Sequence, residues 1–276
     1  MKELRGAVAV VTGAGAGIGR ALAHALSRNG VKLALADINA AGLQGTLSLL
    51  ESTSARVYQV DVSDASAVDQ FAYKVQEDFG RVSLLINNAG VALYGTFAEI
   101  SLEDMEWLFK INFWGVVHAC KSFMRLLQQE QDAHIVNMSS IFGLVGPPGQ
   151  AAYASSKFAV RGFSEVLHHE LKGSRINVSC VHPAGIQTEI ADHARIGSGA
   201  NAQDAAVFRE RFKKLTPTSP AQAARTILAG IVRNRPRILI GADAGRIDAI
   251  QRLAPSRGVD ALISLMEKRA PVPNGS

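Results

Sequence analysis

The chain has 276 residues, and its content of 47% hydrophobic and 19% charged residues fits a protein that folds around a large core rather than a disordered one. The formal net charge is +5, but Lys and Arg are scattered, and no basic run is interleaved with aromatic residues. These features argue against a nucleic-acid-binding surface, so no nucleic-acid partner is expected.

Short apolar runs alternate with longer segments that have helical spacing. The runs are rich in Val, Ile, Leu and Ala, which is typical of strands buried on both faces. They occupy residues 7–11, 31–36, 57–60, 82–86, 134–138, 176–181 and 237–240. The helical segments include residues 18–28, 65–79, 102–128 and 151–171. Because parallel strands need crossover connections, the alternation predicts an α/β fold: a doubly wound, Rossmann-type domain with a parallel seven-stranded sheet and helices on both faces.

The order of these segments leaves no place for a domain boundary. Without a repeat or a linker, residues 1–276 are predicted to form a single domain. The alternation of strands and helices weakens over residues 189–218, which predicts a mobile substrate lid. This segment follows the end of a strand, where folds of this kind bind ligands. Apolar positions at helical spacing predict a C-terminal helical extension over residues 244–270. It covers the core, seals a subunit contact or lies on a membrane surface, in falling order of preference.

A glycine-rich turn follows the first predicted strand and leads into the first helix. It reads T-G-A-G-A-G-I-G over residues 12–19. Glycines let the backbone approach a diphosphate, which the free N–H groups and the positive end of the helix stabilise. The turn does not fit G-x-G-x-x-G, but it fits T-G-x-x-x-G-x-G and so resembles the short-chain dehydrogenase/reductase family. The expected cofactor contacts in this turn are Gly13, Ala16, Gly17, Ile18 and Gly19.

The second predicted strand ends in Asp37, eighteen positions after Gly19. A carboxylate at this place accepts hydrogen bonds from the ribose hydroxyls of NAD and repels the 2′-phosphate of NADP. The residues after Asp37 and the turn itself offer no evident Arg or Lys for that phosphate, so NAD is favoured over NADP. A role for Asp37 as the N-cap of the next helix is the weaker alternative, because Asn39 is better placed to cap.

Other strand ends match the family pattern and imply further cofactor contacts. Asp61 and Val62 match the pair that contacts adenine, and Asn88 and Gly90 belong to an N-N-A-G stretch at residues 87–90. Each could also be a simple turn. A later segment resembles the one that holds the nicotinamide amide, although Ala184 stands where glycine is usual. Its expected contacts are Pro183, Ile186 and Thr188.

Tyr153 and Lys157 are four residues apart in a predicted helix, so their side chains share one face. A tyrosine with a pKa of about 10 is a poor base, but a nearby ammonium and the charge of the nicotinamide favour the phenolate. Tyr153 could then take the proton of an alcohol as hydride leaves its carbon. The resemblance makes Tyr153 and Lys157 both catalytic residues and cofactor contacts.

Two more residues complete the family's catalytic set. Ser140 stands thirteen residues before Tyr153 at the end of the fifth predicted strand and matches the serine that orients substrate. Ser139 is its rival, but the spacing favours Ser140. Asn112 matches the asparagine that interrupts a long helix and holds a water near the lysine. The resemblance implies a proton relay from Tyr153 through the ribose and Lys157 to that water, and it covers roughly residues 4–241.

The resemblance predicts an NAD-dependent oxidoreductase that interconverts a secondary alcohol and its ketone or aldehyde. Apolar residues expected near the reacting carbon indicate a hydrophobic small-molecule substrate. These residues are Phe142, Leu144, Val145, Pro147, Val91 and Leu93. A non-catalytic NAD sensor or scaffold is one alternative, although such proteins typically lose the tyrosine or lysine. An epimerase or dehydratase of the same superfamily is the other, although those resemble a longer type with a separate substrate domain.

The remaining features concern metal, compartment and assembly. The histidines and cysteines lack metal-ligand spacing, so no metal is expected. Cys120 and Cys180 are far apart in apolar contexts, which predicts buried thiols in a reducing compartment. Neither a secretory signal nor a membrane-length apolar stretch is apparent, so a cytoplasmic location is expected and membrane association is not favoured. By resemblance, the long helices that begin near residues 102 and 151 pair across a twofold axis in a homodimer or homotetramer.

Overall fold

A parallel sheet runs through the centre of the protein in this computed structural model, which describes residues 1, 3–51, 54–255, 260 and 263–264. Its strands are β1 (Val8–Thr12), β2 (Lys32–Asp37), β3 (Ala55–Gln59), β4 (Leu84–Asn87), β6 (Ala133–Met138), β7 (Ile176–Pro183) and β9 (Arg237–Ile240), whereas β5 (Leu93–Tyr94) and β8 (Arg195–Ile196) form a separate pair. The helices are α1 (Gly17–Arg28), α2 (Ala40–Leu47), α3 (Ala65–Phe79), α4 (Leu102–Phe109), α5 (Gly115–Gln128), α6 (Ala151–Glu170), α7 (Ala202–Lys214), α8 (Pro220–Val232) and α9 (Ala244–Leu253).

The strands of the large sheet lie in the order β3-β2-β1-β4-β6-β7-β9, and every pair is parallel. The chain moves outward from β1 to β3 and then returns to the other side of β1 at β4. At such a reversal the connections leave in opposite directions and open a crevice at the carboxyl ends of the strands. The predicted doubly wound α/β fold with seven parallel strands is therefore confirmed, and the crevice lies between the ends of β1 and β4.

Both faces of the sheet are covered because successive strand residues point to opposite sides. In β1, Ala9 and Val11 pack in one buried cluster with α1 and α8, whereas Val8 and Val10 pack in another with α3, α5 and α6. All four of these residues are at most 1% exposed. A strand buried on both sides explains why the sequence shows an uninterrupted apolar run rather than an alternating one.

One predicted helix, over residues 102–128, is divided in the structure. A π-helical segment, Lys110–Trp114, separates α4 from α5. Wider turns of this kind occur mostly as short insertions in α-helices, frequently at functional sites. The apolar periodicity runs through the whole segment and predicts a single helix, whereas an interruption at Asn112 was implied by the family resemblance alone.

The predicted lid over residues 189–218 contains β8 and α7. Strand β8 pairs in parallel with β5, and the ring of Phe208 on α7 lies 5.1 Å from that of Tyr94. The Arg195 guanidinium lies 3.7 Å from the centre of the Trp107 ring and 3.5 Å from Asp104. These contacts hold the segment against β5 and α4.

The described part of the predicted C-terminal extension is α9 together with residues 254–255, 260 and 263–264. Residues 256–259, 261–262 and 265–270 of that prediction lie outside the described residues. Ala244 and Ile247 of α9 pack against Leu144 and Val145, which follow β6. Within the described ranges, no helix combines the length and apolar character needed to span a bilayer.

Candidate active site

The glycine-rich turn between β1 and α1 has a conformation that its glycines make possible. Gly13 and Gly17 have positive φ angles of 64° and 50°, which residues with a side chain rarely adopt. A Cβ atom on Gly13 would lie 2.8 Å from the backbone of Ala89, and one on Gly19 would overlap the carbonyl of Gly13. The spacing of the motif therefore follows from positive φ angles at Gly13 and Gly17 and from close backbone approach at Gly13 and Gly19.

The first turn of α1 leaves its N–H groups without a capping side chain, because the N-cap residue is Ala16. Such groups, with the positive end of the helix dipole, favour an anion. Thr188 reaches the same place, since a Cβ on Gly17 would lie 3.1 Å from the Thr188 methyl group. The arrangement fits the diphosphate of a dinucleotide.

Thr12 and Asn88 hold the turn in position. The Asn88 side-chain amide donates hydrogen bonds of 3.0 Å to the carbonyls of both Thr12 and Gly13. The Thr12 hydroxyl in turn accepts bonds of 3.1 Å from the backbone N–H groups of Asn88 and Ala89. Asn88 thus lies where the sequence predicted, although its contacts are to the turn, and Gly90 follows it at the end of β4.

Asp37 lies at the end of β2 against the same turn. One carboxylate oxygen accepts the Gly15 N–H at 2.8 Å, and the other accepts the Asn39 N–H at 2.9 Å. The N-cap of α2 is Asn39, whose side chain accepts the Gly42 N–H at 3.0 Å. The alternative in which Asp37 caps that helix is therefore wrong.

Arg20 was missed in the sequence. Its guanidinium donates to the carbonyl of Gly15 and, at 3.1 Å, to the hydroxyl of Thr46, which itself donates to the Ala14 carbonyl. The sequence indicated no basic residue after Asp37 or within residues 12–19, whereas Arg20 comes from the first turn of α1. Both Asp37 and Arg20 bond the backbone of Gly15, so the turn is held from two sides.

Asp61 and Val62 follow β3 at the same edge of the sheet. Asp61 is exposed and accepts hydrogen bonds from the backbone and hydroxyl of Ser63. Val62 is buried, and its carbonyl lies 3.1 Å from the His118 ring nitrogen. The structure therefore brings this pair to the predicted side of the crevice, with Asp61 open to solvent.

Tyr153 and Lys157 lie one turn apart on α6, with the Lys157 amine 5.7 Å from the centre of the Tyr153 ring. The amine is buried and donates to the Met138 carbonyl at 3.0 Å. Burial lowers the pKa of Lys157 to about 8. Burial also raises the pKa of Tyr153, and a hydrogen bond with Ser140 opposes that rise. Burial of Tyr153 therefore favours the phenol, whereas a nearby ammonium and the charge of a nicotinamide would favour the phenolate.

Ser140 and Ser139 have different surroundings. The Ser139 hydroxyl donates to the Lys157 carbonyl at 2.8 Å, and it lies so close to Gly143 that a Cβ there would overlap it. The Ser140 hydroxyl accepts the Phe142 N–H at 3.1 Å and shares a hydrogen bond with Tyr153. Ser139 is thus committed to packing β6 on α6, whereas Ser140 faces Tyr153.

Asn112 lies in the π-helical segment and is fully buried. Its carbonyl oxygen accepts the Val91 N–H at 2.8 Å, and its amide donates to the Val91 carbonyl at 3.0 Å. A Cβ on Gly90 would lie 3.2 Å from the Asn112 oxygen and 3.3 Å from the Lys157 amine. The wider turn therefore brings Asn112 to the end of β4 and next to Lys157.

The segment after β7 returns toward the glycine-rich turn. Gly185 has a φ of 58°, and a Cβ there would overlap the Leu215 carbonyl. Ile186 bridges to Thr218, and Pro183 ends β7 in register with Ile240. The Ala184 N–H, at the position where the family pattern has glycine, donates to the Ile240 carbonyl at 2.8 Å and extends the pairing of β7 with β9.

Apolar side chains flank Tyr153 on two sides. On one side Leu93 and Leu108 form a buried cluster that includes Val91 and Tyr153 itself. On the other, the ring of Phe142 lies 6.2 Å from that of Tyr153, edge to face. Phe142 belongs to the cluster of residues 141–145 with α9. Tyr153 and Ser140 thus lie in largely apolar surroundings.

His182 is a second residue that sequence reasoning missed. It is buried one position before Pro183, and its Nδ1 atom lies 3.0 Å from the Ser140 carbonyl. From the sequence, the histidines were considered only as possible metal ligands. No pattern in the sequence indicates that residues 140 and 182 lie in contact. Groups of three or more potential metal ligands do not occur among the described residues.

The comparisons with known proteins agree with the fold. A family model described as short chain dehydrogenase matches residues 7–198. The chain is 42% identical over 260 residues to SadH of Mycobacterium tuberculosis, and the match covers 93% of this chain and 94% of that protein. The name of that protein describes it as an oxidoreductase and gives no substrate. It is 35% identical over 218 residues to D-threitol dehydrogenase of Mycolicibacterium smegmatis, covering 78% and 80%. A solved short-chain dehydrogenase/reductase from Burkholderia phymatum, in complex with NAD, covers 100% of both chains with a TM-score of 0.83 and 32% identity.

Proposed function

Since the chain belongs to the short-chain dehydrogenase family, we propose that it is an NAD-dependent oxidoreductase that interconverts a hydrophobic secondary alcohol and its ketone or aldehyde. The observation that carries the proposal is the convergence of Ser140, Tyr153 and Lys157 beside the glycine-rich turn. Family members bind nicotinamide cofactors, and bound NAD would supply a hydride acceptor. Asn112 completes the proposed catalytic set.

In this proposal, Tyr153 moves the proton at its phenolic oxygen. During oxidation it accepts the proton of the substrate hydroxyl, and during reduction it returns one to the alkoxide oxygen. The Ser140 hydroxyl accepts the Phe142 N–H and faces Tyr153, so a substrate oxygen placed between the two side chains could accept its hydrogen. Lys157 uses one donor on the Met138 carbonyl, which leaves two for other partners at the site.

The preference for NAD over NADP rests on Asp37. Its carboxylate lies against Gly15, where it would accept hydrogen bonds from ribose hydroxyls and repel a 2′-phosphate. The NAD-bound relative from Burkholderia phymatum supports the same cofactor class. The proposed contacts are Gly13, Ala16, Gly17, Ile18, Gly19, Asp37, Asp61, Val62, Asn88, Gly90, Tyr153, Lys157, Pro183, Ile186 and Thr188.

We propose a cytoplasmic homodimer or homotetramer, with residues 1–276 as a single domain. Trp114, Phe158 and Val166 support self-association, because these large apolar residues are 39–56% exposed on the π-helical segment and α6. Light scattering on the purified protein measures the assembly directly.

Activity with a panel of hydrophobic secondary alcohols tests the proposal. The purified protein is mixed with NAD or NADP, and the formation of reduced cofactor is followed by absorbance. We expect turnover with NAD and little with NADP. Retained NAD binding without turnover of any alcohol or ketone would overturn the proposal in favour of a non-catalytic sensor. Turnover of a nucleotide sugar without net cofactor reduction would favour an epimerase.

A further inference from the structure

The position of Ser140 depends on contacts beyond the strand that precedes it. Strands β6 and β7 pair as far as Met138 with Val181, and the Ser139 N–H still donates to the Val181 carbonyl at 2.9 Å. At Ser140 the chain turns into the short helical turn Ile141–Gly143. The Ser140 carbonyl then accepts the Gly143 N–H at 2.9 Å and faces the ring of His182.

His182 is fully buried, and its Nδ1 atom lies 3.0 Å from the Ser140 carbonyl oxygen. A carbonyl can only accept, so Nδ1 must carry the hydrogen. Burial lowers the pKa of His182 to about 4, with the charges of Arg237 and Arg161 acting in the same direction. The ring is therefore neutral at pH 7, with its hydrogen on Nδ1.

The other ring nitrogen, Nε2, is buried without a hydrogen-bond partner among the described residues. An unpaired buried acceptor costs stability. The one hydrogen that the neutral ring can donate therefore goes to the Ser140 carbonyl, which points to a role at Ser140 rather than to packing.

We propose that His182 is a positioning residue, which holds the Ser140 backbone so that the serine hydroxyl faces Tyr153. The inference rests on the proposed function, because it assigns His182 a part in the same reaction. His182 acts through the Ser140 carbonyl, and the Phe142 N–H fixes the hydroxyl from the other side. Without the histidine donor, Ser140 keeps the Gly143 bond but loses its tie to β7.

Two substitutions separate the donor from the bulk of the ring. His182→Phe keeps a planar ring and removes the donor, whereas His182→Asn can place an amide N–H where Nδ1 lies. We expect His182→Phe to lower kcat about tenfold, because small displacements at a reacting centre have effects of at least that size. We expect His182→Asn to stay within about twofold of the parent in kcat. Equal losses in both variants, with both folded by circular dichroism, would overturn the role of the donor.

A double-mutant cycle with Ser140→Ala distinguishes positioning from a general structural effect. If His182 acts through Ser140, His182→Phe should lower kcat less than about twofold once the serine hydroxyl is gone. Independent, additive losses would overturn this inference alone. Activity that survives Tyr153→Phe would instead overturn the proposed function, whatever the cycle gives.

The ring tautomer gives a readout that does not need activity. With ¹⁵N-labelled histidine, long-range ¹H–¹⁵N spectra of the full chain at neutral pH should show His182 neutral and protonated on Nδ1. His182→Asn identifies its signals by their disappearance. A neutral ring that is protonated on Nε2 alone would contradict the proposed hydrogen bond and overturn the inference, even if His182→Phe does not fold.

Discussion

The Lys157 amine lies 5.7 Å from the centre of the Tyr153 ring. Burial raises the pKa of Tyr153 and lowers that of Lys157, so it favours the neutral form of each group. Because a pKa of about 8 still leaves the Lys157 amine mostly protonated at pH 7, its charge favours the phenolate against the effect of burial. The positive charge of an oxidised nicotinamide would favour the phenolate, as any nearby cation does. Activation of Tyr153 is therefore expected to depend on the bound cofactor.

Replacing Lys157 with methionine removes the amine and keeps an unbranched side chain of similar length. We expect kcat/KM for alcohol oxidation to fall about 100-fold, as for other losses of acid–base support. The rate of alcohol oxidation should rise with pH because Tyr153 must lose its proton. In Lys157→Met this rise should occur at higher pH, because the phenolate has lost a nearby positive charge. Initial rates at saturating NAD across neutral and alkaline pH check this. Identical profiles for the two proteins would exclude a role of Lys157 in the ionisation of Tyr153.

Two buried histidines make the fold sensitive to acid. Burial lowers the pKa of His182 to about 4 and that of His134 to about 3, from 6.5. The unfolded chain therefore binds more protons than the folded one below pH 6.5, and stability falls as the pH falls toward 4. The His182 share is about 3 kcal/mol, from about 1.4 kcal/mol for each tenfold change in proton affinity. Urea unfolding at a series of pH values should show a smaller fall in His182→Asn, and an unchanged fall would exclude this assignment.

Asp37→Ser tests the preference for NAD. The substitution removes a negative charge but leaves a hydroxyl that can accept a hydrogen bond, so we expect kcat/KM with NADP to rise at least tenfold, roughly the effect of about 1.4 kcal/mol of repulsion. Arg20, on the other side of Gly15, adds a positive charge nearby. Asp64→Ser is the matched control, because Asp64 caps α3 and serine caps equally well. Equal NADP activity in the parent and Asp37→Ser would remove Asp37 from the account of specificity.

Helix α9 should support the segment at residues 141–145 through Ile247. Ile247 is 5% exposed and packs in the cluster with Leu144 and Val145, so Ile247→Ala should lower the free energy of unfolding by about 2–4 kcal/mol. We also expect a higher KM for hydrophobic substrates, because the loop at residues 141–145 loses its support. Leu253→Ala, on the same helix but 87% exposed, should change neither. Equal effects of the two substitutions would show that α9 does not support this loop.

Features carried by local spacing were predictable from the sequence. The sheet followed from apolar runs, and the glycine-rich turn followed from the needs of close backbone approach. The capping of α2 by Asn39 was also predicted, since capping depends on residues within one turn. Each of these patterns lies within a short segment of the chain, although the close approach at Gly13 is to the distant Ala89.

Features that depend on distant segments were not predictable in this way. The π-helical segment at Asn112 keeps the same apolar periodicity as a plain helix, and its wider turn appears only with the contacts to Val91. Arg20 reaches Thr46, and His182 reaches Ser140, across long separations along the chain. The pKa of Tyr153 depends on burial, which the spacing to Lys157 does not contain.

The kcat of Tyr153→Phe tests the central claim most directly. The variant keeps the ring that packs against Phe142 and removes only the phenolic oxygen. The account predicts that NAD binding, measured by fluorescence titration, is retained while kcat falls at least about 100-fold. A variant that binds NAD and turns over substrate as fast as the parent would contradict the assignment of Tyr153 as the acid and base.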